Sequence, residues 1–302
     1  MHTEKHLRLT PGNIDDLRVA HEVDTVWPAA FCRKLEMNFS TPSGLGRLKR
    51  VASVACAALV PLAASAELSN EWLIGPGLRS RPAYDGSGSQ RAELVPVIRY
   101  FGQPWFVRST QGVLEAGART ALMPGLYAGF QLAYEPGRQS SEAGFLESHN
   151  LANIRRGASV GLQMEWDSKF GPVPVTLLGR VRKNLRSQLG TQLDLRLSAG
   201  LFRGGGFSAG LFGQAVWADA KATRAYYGIE PQQSASTGLA GFEPGSGWLN
   251  TSAGLLWSVD LTPKWVAVGS IERRRLNGDA ARSPLVERRT NGYVSAGAAY
   301  RF

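Results

Sequence analysis

Cysteine is nearly missing from this chain. Its 302 residues hold two, Cys32 and Cys56, so nothing beyond residue 56 can be stapled by a disulfide or ligate a metal through thiolates. Charged residues are also scarce, at 19 %, and no apolar run reaches the roughly 20 residues that a membrane-spanning helix needs. Histidine is thin as well: after residue 66 only His149 remains, in the polar stretch FLESHNLANI. Acid, base and nucleophile sets usually draw on a histidine held against its partner. Neighbouring side chains rarely face each other productively, so Ser148-His149 reads as a surface loop rather than a dyad. No Cys/His cluster has metal spacing, and Gly204-Gly205-Gly206 lacks the Lys and Ser/Thr of a phosphate loop, which makes it a turn. These gaps predict no catalytic, cofactor-binding or metal residues, and hence no enzyme and no cofactor.

What the chain does have is 35 glycines, 8 tryptophans and a formal net charge of +10. Glycine and aromatics with few charges suit a β protein with one apolar outer face. A basic balance often signals nucleic acid, but no run interleaves basic and aromatic residues, so that partner is not expected. Lipopolysaccharide phosphates or anionic cell-wall polymers are the expected counter-charges.

The one strong apolar run, 51–64, follows Arg47, Lys49 and Arg50 and ends in Ala64-Ser65-Ala66. A basic stretch, a short apolar core and an A-x-A site together make a secretory leader. Met37 is its expected start. Residues 1–36 are then an over-called extension, 37–66 the signal peptide and 67–302 an outer-membrane β-barrel. Ser53, three before Cys56, and the apolar run continuing past that cysteine argue against a lipoprotein.

From residue 72 onward the pattern alternates with period two. Leu126, Ala128, Phe130, Leu132 and Tyr134 oppose Tyr127, Gly129, Gln131 and Glu135. Leu193, Leu195, Leu197, Ala199 and Leu201 oppose Gln192, Asp194, Arg196 and Ser198, and the stretch from Leu249 to Val259 alternates likewise. Glu, Asp, Arg and Gln share a face with Gly, which is the inside-out arrangement of a membrane barrel. The chain closes on YVSAGAAYRF, with Tyr300 and Phe302 on the apolar face as the expected assembly signal.

Strands are predicted near 72–82, 91–101, 104–111, 113–119, 125–135, 156–167, 173–184, 191–203, 206–218, 248–261, 264–276 and 290–302. Short connections then alternate with long ones, as periplasmic turns alternate with external loops. The fold class is an all-β, single transmembrane antiparallel barrel of twelve strands, with ten as the alternative count. Arg180, Arg182, Asp194 and Arg196 are the candidate lumen charges, forming either an ion-pair ladder or a basic constriction that selects anions. The run Glu272-Arg273-Arg274-Arg275 lies at a strand's outer end, facing lipopolysaccharide or forming a solvated rim.

Two long segments are distinctive: TRAYYGIEPQQSASTGLAGFEPGSG (223–247) and LNGDAARSPLVERR (276–289), followed by the closing YRF. With RPAYDGSGSQR (81–91) and LAYEPGR (132–138), this order resembles the MipA/OmpV family of outer-membrane proteins, the MltA-interacting proteins. The resemblance covers essentially 67–302. It implies a non-enzymatic barrel in the bacterial outer membrane, in contact with its lipid and lipopolysaccharide. It also implies a scaffold that joins a lytic murein transglycosylase to a murein synthase; a small porin-like channel or surface adhesin is the alternative. The candidate loop motifs are Tyr84, Asp85, Gly86, Tyr227, Gly228, Gly278, Asp279, Ser283 and Pro284, serving either recognition or loop packing.

The mature protein is expected to begin at Glu67. Amino-terminal sequencing of protein from fractionated envelopes checks this, and a start upstream of Val51 would overturn it.

Overall fold

The computed structural model describes residues 72–110 and 113–302. The leader, its Ala64-Ser65-Ala66 site and the extension 1–36 lie outside the described residues. No described helix is long and apolar enough to cross a membrane.

Residues rich in β-branched and aromatic side chains with strict alternation form strands that fit a pleated surface. Twelve of them follow one another: β1 (Leu73–Pro82), β2 (Gln90–Phe101), β3 (Trp105–Thr110), β4 (Val113–Met123), β5 (Leu126–Glu135), β6 (Gly157–Phe170), β7 (Val173–Asn184), β8 (Thr191–Gly204), β9 (Phe207–Ala218), β10 (Gly247–Asp260), β11 (Trp265–Leu276) and β12 (Thr290–Arg301). Each pairs antiparallel with its neighbours in sequence, and β12 returns to β1, with Leu73 opposite Arg301 and Ser80 opposite Val294. The sheet therefore closes on itself, which is how strands satisfy their backbone groups in lipid; its thinnest seam is β2 with β3, paired only at Arg99–Arg108, Tyr100–Val107 and Phe101–Phe106.

The alternation sorts side chains by solvent. Leu94 is 80 % and Leu162 69 % exposed, whereas Glu115 and Asp194 are 2 % and 0 % exposed. The apolar set looks outward and the charges look in, as lipid demands. At the short-turn end, Trp72 stacks on Tyr100 with centroids 4.4 Å apart, and Trp265 meets Tyr300 edge-on at 5.4 Å. These aromatics sit where a membrane interface would hold them.

The turns at this end are tighter than the sequence pattern suggests. β4 runs on to Met123 instead of ending at 119, and β6 runs to Phe170, leaving Pro124-Gly125 and Gly171-Pro172 as two-residue turns. Gly205 and Gly206, with φ of 58° and 77°, join β8 to β9; two consecutive positive φ values make the hairpin turn whose twist matches its strands. Leu249 departs from the expected lipid face. A register shift between Trp248 and Asn250 turns it inward, where it is 9 % exposed.

The long connections fold on themselves at the opposite end. They contain α1 (Gly144–Ser148), α2 (Ala220–Tyr227) and α3 (Pro231–Thr237). Asp219 caps α2 by accepting from the Ala222 amide at 2.8 Å, and Glu230 and Gln233 form a capping box on α3.

Leu197 faces lipid at 52 % exposure and Ser198 faces the lumen. An arginine on the lipid face near the midplane costs about 2–4 kcal/mol, and far less at a wet lumenal position. Leu197→Arg should therefore lower folding yield into lipid vesicles well below that of Ser198→Arg. Equal yields would mean that inside and outside are reversed.

Candidate functional site in the lumen and its outer cap

Inward-facing charges form a connected lattice at mid-barrel. Arg180 on β7 donates through Nε to Asp194 Oδ1 on β8 at 2.6 Å and through Nη1 across the lumen to Glu115 Oε1 on β4 at 2.6 Å. Glu115 Oε2 accepts from Arg108 Nε at 2.8 Å, and Arg182 lies 3.3 Å from both Asp194 and Glu135. Arg119 and Glu165 add a pair at 2.7 Å. Charges withdrawn from water persist only when paired and hydrogen-bonded, and removing one partner of such a pair costs about 3–5 kcal/mol.

The structure thus brings Arg180, Arg182 and Asp194 together. It sets Arg196 apart: Arg196 is 7 % exposed, its guanidinium lies 4.0 Å above the Phe212 ring, and its Nη1 has no hydrogen-bond partner. Arg108, Glu115 and Glu135 complete the lattice and were not among the sequence candidates. Their inward parity was readable, but the contacts were not, because they form only when the barrel closes.

Below the lattice, toward the short turns, the lumen widens into a vestibule of about 660 Å³. One wall is apolar, with Val95, Val97 and Val268, and the other carries Asp167, Lys169 and Arg196. Above the lattice a chamber of about 230 Å³ lies beneath the folded loops.

Those loops form a cap with its own apolar core. Leu146, Leu285 and Ile229 are 1–2 % exposed and pack with Tyr84, Ala83, Ala143 and Leu151. Burying each such aliphatic side chain contributes roughly 1.5–3 kcal/mol. Leu249, Leu276, Tyr227 and Ala280 make a second cluster.

The loop motifs from the sequence converge here. Tyr84 Oη donates to Leu285 O at 2.9 Å and Ser283 Oγ to Tyr227 O at 2.6 Å. Gly86, at φ 105°, donates to Asn291 Oδ1 at 3.0 Å, while its carbonyl accepts from the Glu287 and Arg288 amides, each at 2.9 Å. Asp279 accepts from the Gly245 amide at 2.7 Å and pairs with Arg282. Gly228 ends α2 by donating to Arg224 O at 2.8 Å, Gly278 takes a left-handed turn at φ 51°, and Pro284 is half-buried between Ser283 and Leu285. Asn291 and Glu287 escaped notice in the sequence, since neither carries a pattern of its own.

Asp85 ties the cap to the wall. It accepts from Arg274 Nη1 at 2.9 Å and from the Tyr293 hydroxyl. Burial pushes its carboxyl up, but the facing Arg274 guanidinium and the Tyr293 hydrogen bond overcome this and hold it below the usual carboxylate range. Burial, reinforced by Glu135, pushes the Tyr226 hydroxyl up to about 12. Burial, reinforced by Glu287, likewise raises Tyr84. The run 272–275 divides by parity: Arg274 pairs inward with Asp85 and Glu272, while Arg273 and Arg275 are exposed.

His149 Nδ1 lies 2.8 Å from Phe145 O and 3.2 Å from Ser148 Oγ. The two neighbours do approach, contrary to expectation. A nitrogen that donates to a carbonyl cannot also take the serine proton, so the contact does not make a nucleophile. Tyr300 packs against Phe302 at 4.8 Å on the lipid side, and the Phe302 amide donates to Trp72 O at 3.0 Å.

Because the Asp85 carboxyl is depressed, its contribution to cap docking is complete above the ordinary carboxylate pKa of about 4 and is lost as pH falls through the lower folded value. Hydrogen exchange of residues 83–89 should stay slow from pH 7 to 5 and accelerate below about 4. Asp85→Asn should cost about 1–3 kcal/mol of local protection and remove that acid step. An unchanged exchange profile would sever Asp85 from cap docking.

The chain is 25 % identical over 220 residues to the MltA-interacting protein of Escherichia coli (strain K12), covering 69 % of this chain and 81 % of that one, and the Shigella flexneri protein matches equally. Among solved structures, the NanC porin aligns over 76 % of this chain and all of its own at 10 % identity and a TM-score of 0.42. An outer membrane channel from Pseudomonas putida F1 aligns over 78 % and 97 % at 10 % identity and the same score. The family described as MltA-interacting protein MipA matches residues 74–302, and the chain, a barrel of the outer membrane, belongs to that family.

Proposed function

We propose that this barrel is a non-enzymatic scaffold, closed to the outside, that holds a lytic murein transglycosylase, and through it a murein synthase, at the periplasmic face of the outer membrane. The observation that carries this reading is the asymmetry of the lumen. Toward the exterior it meets the Arg180-Glu115-Asp194 lattice and then a packed cap. On the short-turn side of the lattice it holds the 660 Å³ vestibule. A channel needs a continuous wet path with sites weak enough to leave, whereas mutually paired charges under an apolar cap interrupt one.

The loop motifs spend their hydrogen bonds on one another, which suits packing better than recognition of a partner. Periplasmic turns as short as two residues give a partner little to grip, so the rim and the vestibule mouth are the expected docking surface. The relatives' name, MltA-interacting protein, supports a transglycosylase as that partner. Tyr300 and Phe302, outward on the closing strand, are the proposed signal for assembly.

The test sets two readouts on the same purified protein. A planar bilayer should show no steady conductance above background, and the immobilised barrel should retain purified transglycosylase. Stable single-channel steps without retention would replace the scaffold with a channel.

A further inference from the structure

The outer face carries a cleft of about 1060 Å³ between residues 138–155, 186–189 and 221–243. Five cations line it, Arg138, Arg155, Arg186, Lys221 and Arg224, against the carboxylates of Glu230 and Glu243. Both carboxylates are already engaged. Glu243 accepts from Arg224 Nη1 at 2.8 Å, and Glu230 is held in the capping box of α3. Among the described residues the other four cations have no carboxylate within ion-pair reach.

Three of those four are exposed and by themselves would be a solvated rim. Arg138 is different. It is 8 % exposed and lines both the cleft and the chamber beneath the cap. Its Nη1 donates to Tyr226 O at 2.8 Å, but its Nε has no hydrogen-bond partner. The titratable groups that act on it are Tyr227, Tyr84 and Tyr226; the carboxylates of Asp85 and Glu135 line the same chamber, and among the described residues none lies within ion-pair distance of it. A guanidinium withdrawn from water without a counter-ion is costly, and a bound anion removes that cost.

We propose that this cleft binds a phosphorylated sugar, with Arg138, Arg155 and Arg186 taking the phosphate and Asn153, Gln188 and Phe242 contacting the ring. Planar guanidinium forks match phosphate oxygens two at a time. The volume, just above the roughly 300–1,000 Å³ of small-molecule sites, has room for a sugar as well as its phosphate. Amides beside an aromatic suit hydroxyls and a ring face. Such a group can come from a glycolipid in the protein's own outer leaflet or from a glycan in the medium. The site lies on the face opposite the scaffold surface and does not depend on it.

The test titrates glucose 1,6-bisphosphate, with glucose as control, into the protein in phosphatidylcholine nanodiscs. The bisphosphate should bind, more weakly as salt rises, and glucose should not. Arg138→Gln should weaken binding tenfold or more. Arg186→Gln, exposed and outside the cap core, should weaken it several-fold with heat-modifiable gel mobility unchanged, which separates ligand loss from misfolding. Lipopolysaccharide in the disc that competes only while phosphorylated assigns the site to the leaflet; absence of competition assigns it to a soluble glycan. No bisphosphate binding, or wild-type affinity in both variants, overturns the proposal.

Discussion

Hydrocarbon offers a peptide group nothing to bond with, so each N–H and C=O inside the bilayer must find its partner within the protein. A sheet meets that demand only by closing. Here β12 pairs with β1, and the rest of the molecule follows from that seam. Closure fixes which face of each strand meets lipid. The outward set is then free to be apolar, as with Leu94 and Leu162, and the inward set has to be compatible with a confined interior.

That interior cannot be a conventional apolar core, since alternating strands already send their large aliphatic side chains outward. The inward positions mix glycine, small polar residues and charge with scattered apolar groups such as Phe106, Leu178 and Val266, and the charges are accommodated by pairing. Replacing a buried ion pair with well-packed apolar residues is often neutral or stabilising, so the lattice around Arg180 is not explained by stability alone. What it adds is orientation: Arg180 joins β7 to β8 and, across the lumen, to β4. Apolar packing inside the barrel is limited to a small cluster around Leu73, Val266 and Ala299, and the larger one sits in the cap, where Leu146, Ile229 and Leu285 are as buried as the centre of a soluble domain.

How much of this the sequence revealed depends on the range of the interaction. Alternation is a property of adjacent residues, so the facing of Leu195, Arg196 and Leu197 was legible, as were twelve strands and the placement of most turns. A bulge breaks alternation without a local marker, which is why Leu249 lies on the face opposite to the one its parity predicts. The helices of the cap were missed because eight residues such as AKATRAYY are too few for helical periodicity to stand out from noise. Cross-lumen contacts were out of reach for a different reason. Arg180 and Glu115 are 65 residues apart, and Asp85 and Arg274 are 189 apart; both pairs exist only after closure.

The loop motifs connect these ranges. Segments 83–89, 227–229 and 277–289 lie far apart in the chain, yet the seam brings the first and last side by side, since β1 and β12 are neighbours. Gly86 then clamps Asn291 and the 287–288 amides, Asp85 reaches Arg274, and Ser283 reaches Tyr227. Because these bonds join one loop to another or, through Arg274 and Asn291, a loop to the barrel wall, the cap docks as a unit, and loosening one loop exposes the apolar surface of the next. The loop motifs therefore have a physical role within the fold: their hydrogen bonds pack the loops over the long-loop end of the barrel and fasten them to its wall.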